Sequence, residues 1–118
     1  MPSFYTGRGD SGKTGFLGEG RISKSSIRIE AVGSVDEASS ALGLARALAK
    51  SEKTQETILK IQKQLYLLMS ELSADADAAD QFDRIGQQEV DWLEEQIAGL
   101  ERVVEMPREF IVPGGSPV

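Results

Sequence analysis

Residues 6–15 read Thr-Gly-Arg-Gly-Asp-Ser-Gly-Lys-Thr-Gly, and glycines recur at Gly18 and Gly20, so half of the chain's 12 glycines lie between Gly7 and Gly20. Glycine tolerates positive φ and has no Cβ, so successive backbone N–H groups can turn toward one anion. Arg8, Lys13, Arg21 and Lys24 supply the countercharge. The chemistry that suits this segment is the cradling of phosphate. The competing reading is a flexible N-terminal tail, but the density of Gly, Thr and basic residues is higher than a solubilising tail requires.

Gly7 to Thr14 also satisfies G-x-x-x-x-G-K-[ST], the Walker A pattern. That motif needs a buried strand before it and a helix directly after it. Only Met1 to Tyr5 precede the loop, and Gly15-Phe16-Leu17-Gly18-Glu19-Gly20 cannot open a helix. A P-loop phosphotransferase is therefore the weakest of the functional readings. The Arg8-Gly9-Asp10 triplet matches a cell-adhesion tripeptide, yet it sits inside a glycine run with its own phosphate logic and no secretion signal precedes it.

The rest of the composition narrows the chemistry. The chain has no cysteine and no histidine, which removes disulfides, thiolate nucleophiles, imidazole bases and the usual zinc ligands. The net charge is −6, but residues 1–28 hold five Lys or Arg against two Asp or Glu, and the remainder holds eight against 17. An acidic protein with one local cationic segment suits a small anionic ligand better than a nucleic-acid backbone, which demands an extended basic face. No apolar signal core is present and no stretch approaches the roughly 18 apolar residues of a membrane span, which points to a cytoplasmic protein without a membrane partner.

A single domain over residues 1–118 must position the loop: residues 1–26 as the Gly-rich segment and 27–118 as a helical bundle. Three segments repeat apolar residues at heptad spacing. Over 27–49 the stripe is Ala31, Val35, Ala38, Leu42, Ala45 and Ala49, whose small side chains imply close helix approach. Over 52–73 it is Ile58, Ile61, Leu65, Leu68 and Leu72, widened by Leu59, Tyr66 and Met69 into a face that can touch two neighbours. Over 87–104 it is Val90, Leu93, Ile97, Leu100 and Val104, with Trp92 beside the seam. Residues 74–83 form an acidic, alanine-rich connection. Strand signals are absent apart from Phe110-Ile111-Val112, so the predicted fold class is all-α, a bundle with near-parallel packing in which these apolar residues form the core.

After the Pro113-Gly114-Gly115 turn, Ser116 is a good N-cap and Pro117 a good first helical residue, so a further helix is announced with only Val118 to follow. The expectation is about three helices plus the start of a fourth, with the remaining helices continuing beyond the chain or coming from elsewhere. Three helices with so wide an apolar second helix also leave surface for a partner or for self-association.

Four motifs occur in order: Tyr5-Thr6-x-x-Gly9-Asp10-x-Gly12-x-Thr14-Gly15; Arg21-x-Ser23-Lys24; Glu30-Ala31-x-Gly33-x-Val35-Asp36-Glu37; and Phe110-Ile111-Val112-Pro113-Gly114-Gly115-Ser116. Together they resemble the ATP:cob(I)alamin adenosyltransferases of the trimeric helix-bundle type, over the whole chain. The resemblance implies a five-helix bundle assembled as a homotrimer, with ATP at subunit interfaces and Thr6, Gly7, Arg8, Gly9, Thr14 and Gly15 wrapped around the triphosphate. It implies that Lys24 contacts phosphate. It implies that Asp36 pairs across the interface with an arginine of the fourth helix, which this chain does not contain; from the residues alone, Asp36 and Glu37 can face either solvent or a partner.

By the same resemblance, Phe110 lies against the corrin ring on the side of the lower axial ligand, giving four-coordinate Co(II) that is easier to reduce. Without it, Phe110 is a core residue capping the bundle. The implied reaction is attack of Co(I) on the 5′ carbon of ATP, releasing triphosphate and forming adenosylcobalamin, with Mg²⁺ held mostly by phosphate oxygens and water and no protein metal site. A reductase or a cobalamin-dependent enzyme is the implied protein partner. The family pattern continues past Pro-Gly-Gly-Ser into an arginine-rich helix, and this sequence ends before it. By the same resemblance, variable small or polar residues are expected at the position of Lys13, which adds a phosphate contact or none. The alternative from another class is a non-catalytic helical oligomer that binds nucleotide or corrinoid.

Overall fold

The computed structural model describes residues 7–15, 21–23, 26–74 and 84–116. In chain order these form β1 (Lys13–Gly15), β2 (Arg21–Ser23), α1 (Ile27–Leu48), α2 (Glu52–Ser73) and α3 (Gln87–Glu101).

Each helix begins where its side chains can satisfy the free N–H groups of the first turn. The Ser26 hydroxyl accepts from Ile29 N at 3.4 Å and the Ser51 hydroxyl from Thr54 N at 3.3 Å. At α3 the cap residue is Gly86, which has no side chain to offer. There the Glu89 carboxylate reaches back instead, accepting from Gly86 N at 2.8 Å.

α1 and α2 pack as an antiparallel hairpin. Arg28 at the start of α1 reaches the Leu72 carbonyl at the end of α2, and the Gln62 amide donates to Ser39 O at 3.0 Å midway along both helices. The small-residue stripe permits this approach. Ala31, Val35, Leu42 and Ala45 are half-buried and Ala49 is buried, whereas Ala38 lies exposed. A Cβ added at Gly43 would stand 3.1 Å from the Gln62 amide nitrogen, so glycine there leaves room for the amide that donates to Ser39 O. The tight connection is closed by Gln55, whose amide donates to Ala49 O at 2.6 Å.

α3 joins α2 through two polar ties. Glu71 accepts from Ile85 N at 3.1 Å, and Lys60 Nζ lies 4.2 Å from the centroid of the Trp92 ring. Trp92 is the chain's one tryptophan, so this second tie has a spectroscopic reporter. Lys60→Met keeps the aliphatic stem and removes the charge; it should alter Trp92 emission and cost about 0.5–1 kcal/mol, measured by urea unfolding followed at that fluorescence.

Three sequence expectations need correction. A two-stranded antiparallel ribbon is present, with Lys13 opposite Ser23, Thr14 opposite Ile22 and Gly15 opposite Arg21. Strands of three residues are too short to display the period-2 alternation by which strands are recognised. Second, α3 stops at Glu101, three residues before the expected end. The N–H groups of Val103 and Val104 both donate to Leu100 O, tightening the last turn, and two successive β-branched residues disfavour further helix. The Phe110–Val112 run forms no strand.

The third correction concerns the core. Among the described residues only Ala49 (5% exposed) and Ala74 (4%) are buried. The α2 stripe is half-buried with Tyr66 exposed, and the whole α3 seam, Val90, Leu93, Ile97, Leu100 and Val104, is open. The chain's accessible surface is 9544 Å², against about 6300 Å² for a folded monomer of this mass. These helices were expected to bury their stripes against one another, but a single hairpin with one lightly tied helix has too few faces to do so. Ser116 sits in an irregular bend. Pro117 and Val118, expected to open a further helix, lie outside the described residues, as does most of the acidic connection (75–83).

Candidate functional site

The glycine segment folds as two overlapping turns. Asp10 N donates to Gly7 O and Gly12 N to Gly9 O, each at 3.1 Å. Gly7 (φ 71°) and Gly12 (φ 88°) occupy the left-handed region that other residues resist. At Gly7 a Cβ would make only an ordinary contact, 3.4 Å from Asp10 Oδ2, so its positive φ and not crowding calls for glycine. Gly12 has open space around it, so backbone conformation alone requires glycine there.

From the turn the chain enters β1 at Lys13, crosses to β2, and after residues 24 and 25 reaches the Ser26 cap of α1. The ribbon thus ties the turn to the root of α1, at the open end of the hairpin. Arg8 is exposed, Gly9 half-buried and Lys13 exposed. Thr14 and Gly15 belong to β1. Thr14 therefore does not open a helix, as the corresponding residue of a P-loop would. Thr6 and Lys24 lie outside the described residues.

The remaining predicted residues lie elsewhere in the fold. Asp36 is exposed on α1, about 15 Å along the helix from Ser26. Phe110 is 85% exposed in the irregular segment after α3, next to the Pro113–Gly115 turn in which Gly114 has φ 95°. It does not cap a core, so that reading of Phe110 fails for the described chain. Among the described residues no three His, Asp or Glu converge on a point that could hold a metal ion, and no helix is long and apolar enough to cross a membrane.

Sequence reasoning missed one residue beside the site. The Arg28 guanidinium donates to Leu72 O at 3.1 Å (Nε) and 2.8 Å (Nη2), and Nη2 also reaches Ala74 O. The signal was available, because a cation in the first turn of α1 opposes that helix's own dipole and needs another reason to be there.

A glycine turn with two left-handed residues, ribboned to the root of an antiparallel helix pair whose outer apolar faces are open, defines a helical-bundle protein with an N-terminal amide-rich turn. Comparison with known proteins makes the class specific. Residues 4–118 match the family model of cobalamin adenosyltransferase. A corrinoid adenosyltransferase of Citrobacter freundii is 35% identical over 97% of this chain and 65% of its own length. A cobalamin adenosyltransferase of Cupriavidus metallidurans is 40% identical over 98% of this chain and 61% of its own. Among solved structures, a variant PduO-type ATP:corrinoid adenosyltransferase from Lactobacillus reuteri, complexed with cobalamin and ATP, superposes with a TM-score of 0.85 at 32% identity, over 97% of this chain and 65% of that one. The chain belongs to the cobalamin adenosyltransferase family, and it spans about 65% of the length of these relatives or somewhat less.

Proposed function

We propose that this protein transfers the 5′-deoxyadenosyl group of ATP to cob(I)alamin, forming adenosylcobalamin and triphosphate. The observation that carries this reading is the likeness of nearly the whole chain, at a TM-score of 0.85, to an ATP:corrinoid adenosyltransferase complexed with both cobalamin and ATP. In this reading residues 1–118 are one domain, with the nucleotide-binding loop at 1–26 and the bundle at 27–118.

The protein's tasks are to position two substrates and to stabilise a leaving group. The turn at Gly7–Gly12 offers backbone N–H groups and Arg8 offers positive charge to the triphosphate, joined by Thr6, Thr14, Gly15 and Lys24. Co(I) of the corrinoid substrate donates its electron pair to the 5′ carbon. A Co–C bond forms, the C–O bond breaks, and the electron pair leaves with triphosphate while cobalt goes formally from Co(I) to Co(III). No side-chain base is needed, which suits a chain without His or Cys. Phe110, an exposed aromatic beside a turn, is placed against the lower face of the corrin, where it excludes water and base from cobalt.

Mg²⁺ would find no cluster of three protein ligands among the described residues, so triphosphate oxygens and water would hold it. The open α3 seam and the exposed Asp36 on α1 support a homotrimer in which a neighbouring subunit covers these faces. We place the protein in the cytoplasm, supplied by a reductase or serving a cobalamin-dependent enzyme.

Mixing the protein with ATP, Mg²⁺ and chemically reduced cobalamin should discharge the Co(I) absorbance and release intact triphosphate. Release of γ-phosphate instead, or binding of both ligands with no loss of Co(I), would overturn the transferase reading. The latter outcome is what a non-catalytic binder gives.

A further inference from the structure

We infer that Arg28 is a positioning residue for the nucleotide segment: by holding the root of α1 against the end of α2, it sets the place from which the glycine turn is presented to a triphosphate. The ligand in this inference rests on the adenosyltransferase reading; the clamp rests on the geometry.

Arg28 stands in the first turn of α1, where its charge opposes the dipole of its own helix. It is directed instead at the end of α2. The last turn of α2 contains no basic residue, and its terminal carbonyls, Leu72 O and Ala74 O, are the ones that Arg28 engages. One guanidinium thus satisfies carbonyls that a helix end leaves orphaned, with the sign of charge that the end attracts. Ala74 is only 4% exposed, so water has little access to replace the bond there.

The clamp lies at the right end of the hairpin to matter for the turn. The other end is held independently by the Ser51 cap and the bond from Gln55 to Ala49 O. At the open end, two residues separate Ser23 of β2 from the Ser26 cap, and Arg28 follows two residues later. So short a link keeps the end of β2 within about 11 Å of the α1 root. The pairing of Thr14 with Ile22 then carries that position to β1, and β1 continues directly from the turn. Glu71 provides an internal control, because it ties the same turn of α2 to Ile85 at the root of α3 and not to the ribbon.

The test is titration with ATP, below the unfolding temperature, of wild type, Arg28→Met, Arg28→Lys and Glu71→Ala, together with steady-state kinetics. If loss of the clamp leaves about a tenth of the molecules with the root in place, Arg28→Met raises the ATP Kd and KM about tenfold. In the same variant kcat and the corrinoid KM stay near wild type. Arg28→Lys, which keeps the charge and one donor, is expected to raise the Kd about threefold by the same population argument. Glu71→Ala should leave ATP affinity unchanged. An Arg28→Met protein that binds ATP like wild type overturns the inference, and so does a Glu71→Ala protein that loses as much affinity, because the effect would then be general loosening of α2. Should Arg28→Met fail to fold, wild-type affinity in folded Arg28→Lys has the same force. Wild-type protein that binds no ATP removes the functional reading itself, a result distinct from either of these.

Discussion

Gly12→Val should cost the protein about ten- to hundredfold in ATP affinity while leaving its helices intact. Gly12 has φ 88°, and a Cβ there meets nothing within 4 Å, so the effect cannot come from a clash. It comes from forcing a β-branched residue into backbone space it avoids, at about 1–3 kcal/mol. The turn can escape this strain by giving up the bond from Gly12 N to Gly9 O and swinging to negative φ. The turn then presents its backbone differently, and in the adenosyltransferase reading the strain appears as lost affinity, not as lost global stability.

Isothermal titration with ATP, alongside thermal unfolding followed by circular dichroism, separates the two effects. Gly99→Ala is the matched control: it too has open space, but in α3 with ordinary φ. It should gain helix stability of up to about 1 kcal/mol and keep ATP binding. Wild-type affinity in a folded Gly12→Val protein would show that the turn does not hold the phosphates.

Phe110→Ala is expected to lower adenosylation about 10- to 100-fold, the usual cost of removing a group that controls solvent and ligand access to a metal centre. Because Phe110 is 85% exposed, the folded chain should lose no more than about 0.5 kcal/mol. ATP affinity should be unaffected, since the turn and the ribbon belong to another part of the fold. If Phe110 excludes the lower ligand as proposed, the deficit should be larger when the assay starts from Co(II) than from chemically prepared Co(I), because that exclusion acts on the reduction step. The four-coordinate Co(II) signal in electron paramagnetic resonance should fade in parallel. A variant that loses activity through instability would show a lowered unfolding midpoint and the same deficit from either cobalt state. That result would return Phe110 to a structural role.

Much of this was legible in the chain because helices and tight turns are local. The spacing of Ile58, Ile61, Leu65, Leu68 and Leu72 places α2 where it lies, at Glu52–Ser73. Gly7 and Gly12 announce left-handed backbone because glycine alone enters it without strain. The ribbon was invisible because pairing of Lys13–Gly15 with Arg21–Ser23 depends on a partner strand and not on any repeat within three residues. The end of α3 was misplaced because Val104 continues the heptad in sequence while Val103 and Val104 resist the helix in space.

The amino-acid sequence alone determined three helices, an amide-rich turn, a chemistry without imidazole or thiol, and four motifs in family order, since each of these depends on residue type and near-neighbour spacing. Only the tertiary structure decided that Arg28 belongs to the end of α2, that Phe110 stands open and that the seam of α3 lies uncovered. Those outcomes depend on which distant segments meet, and a side chain's partner 44 residues away leaves no periodic trace in the chain.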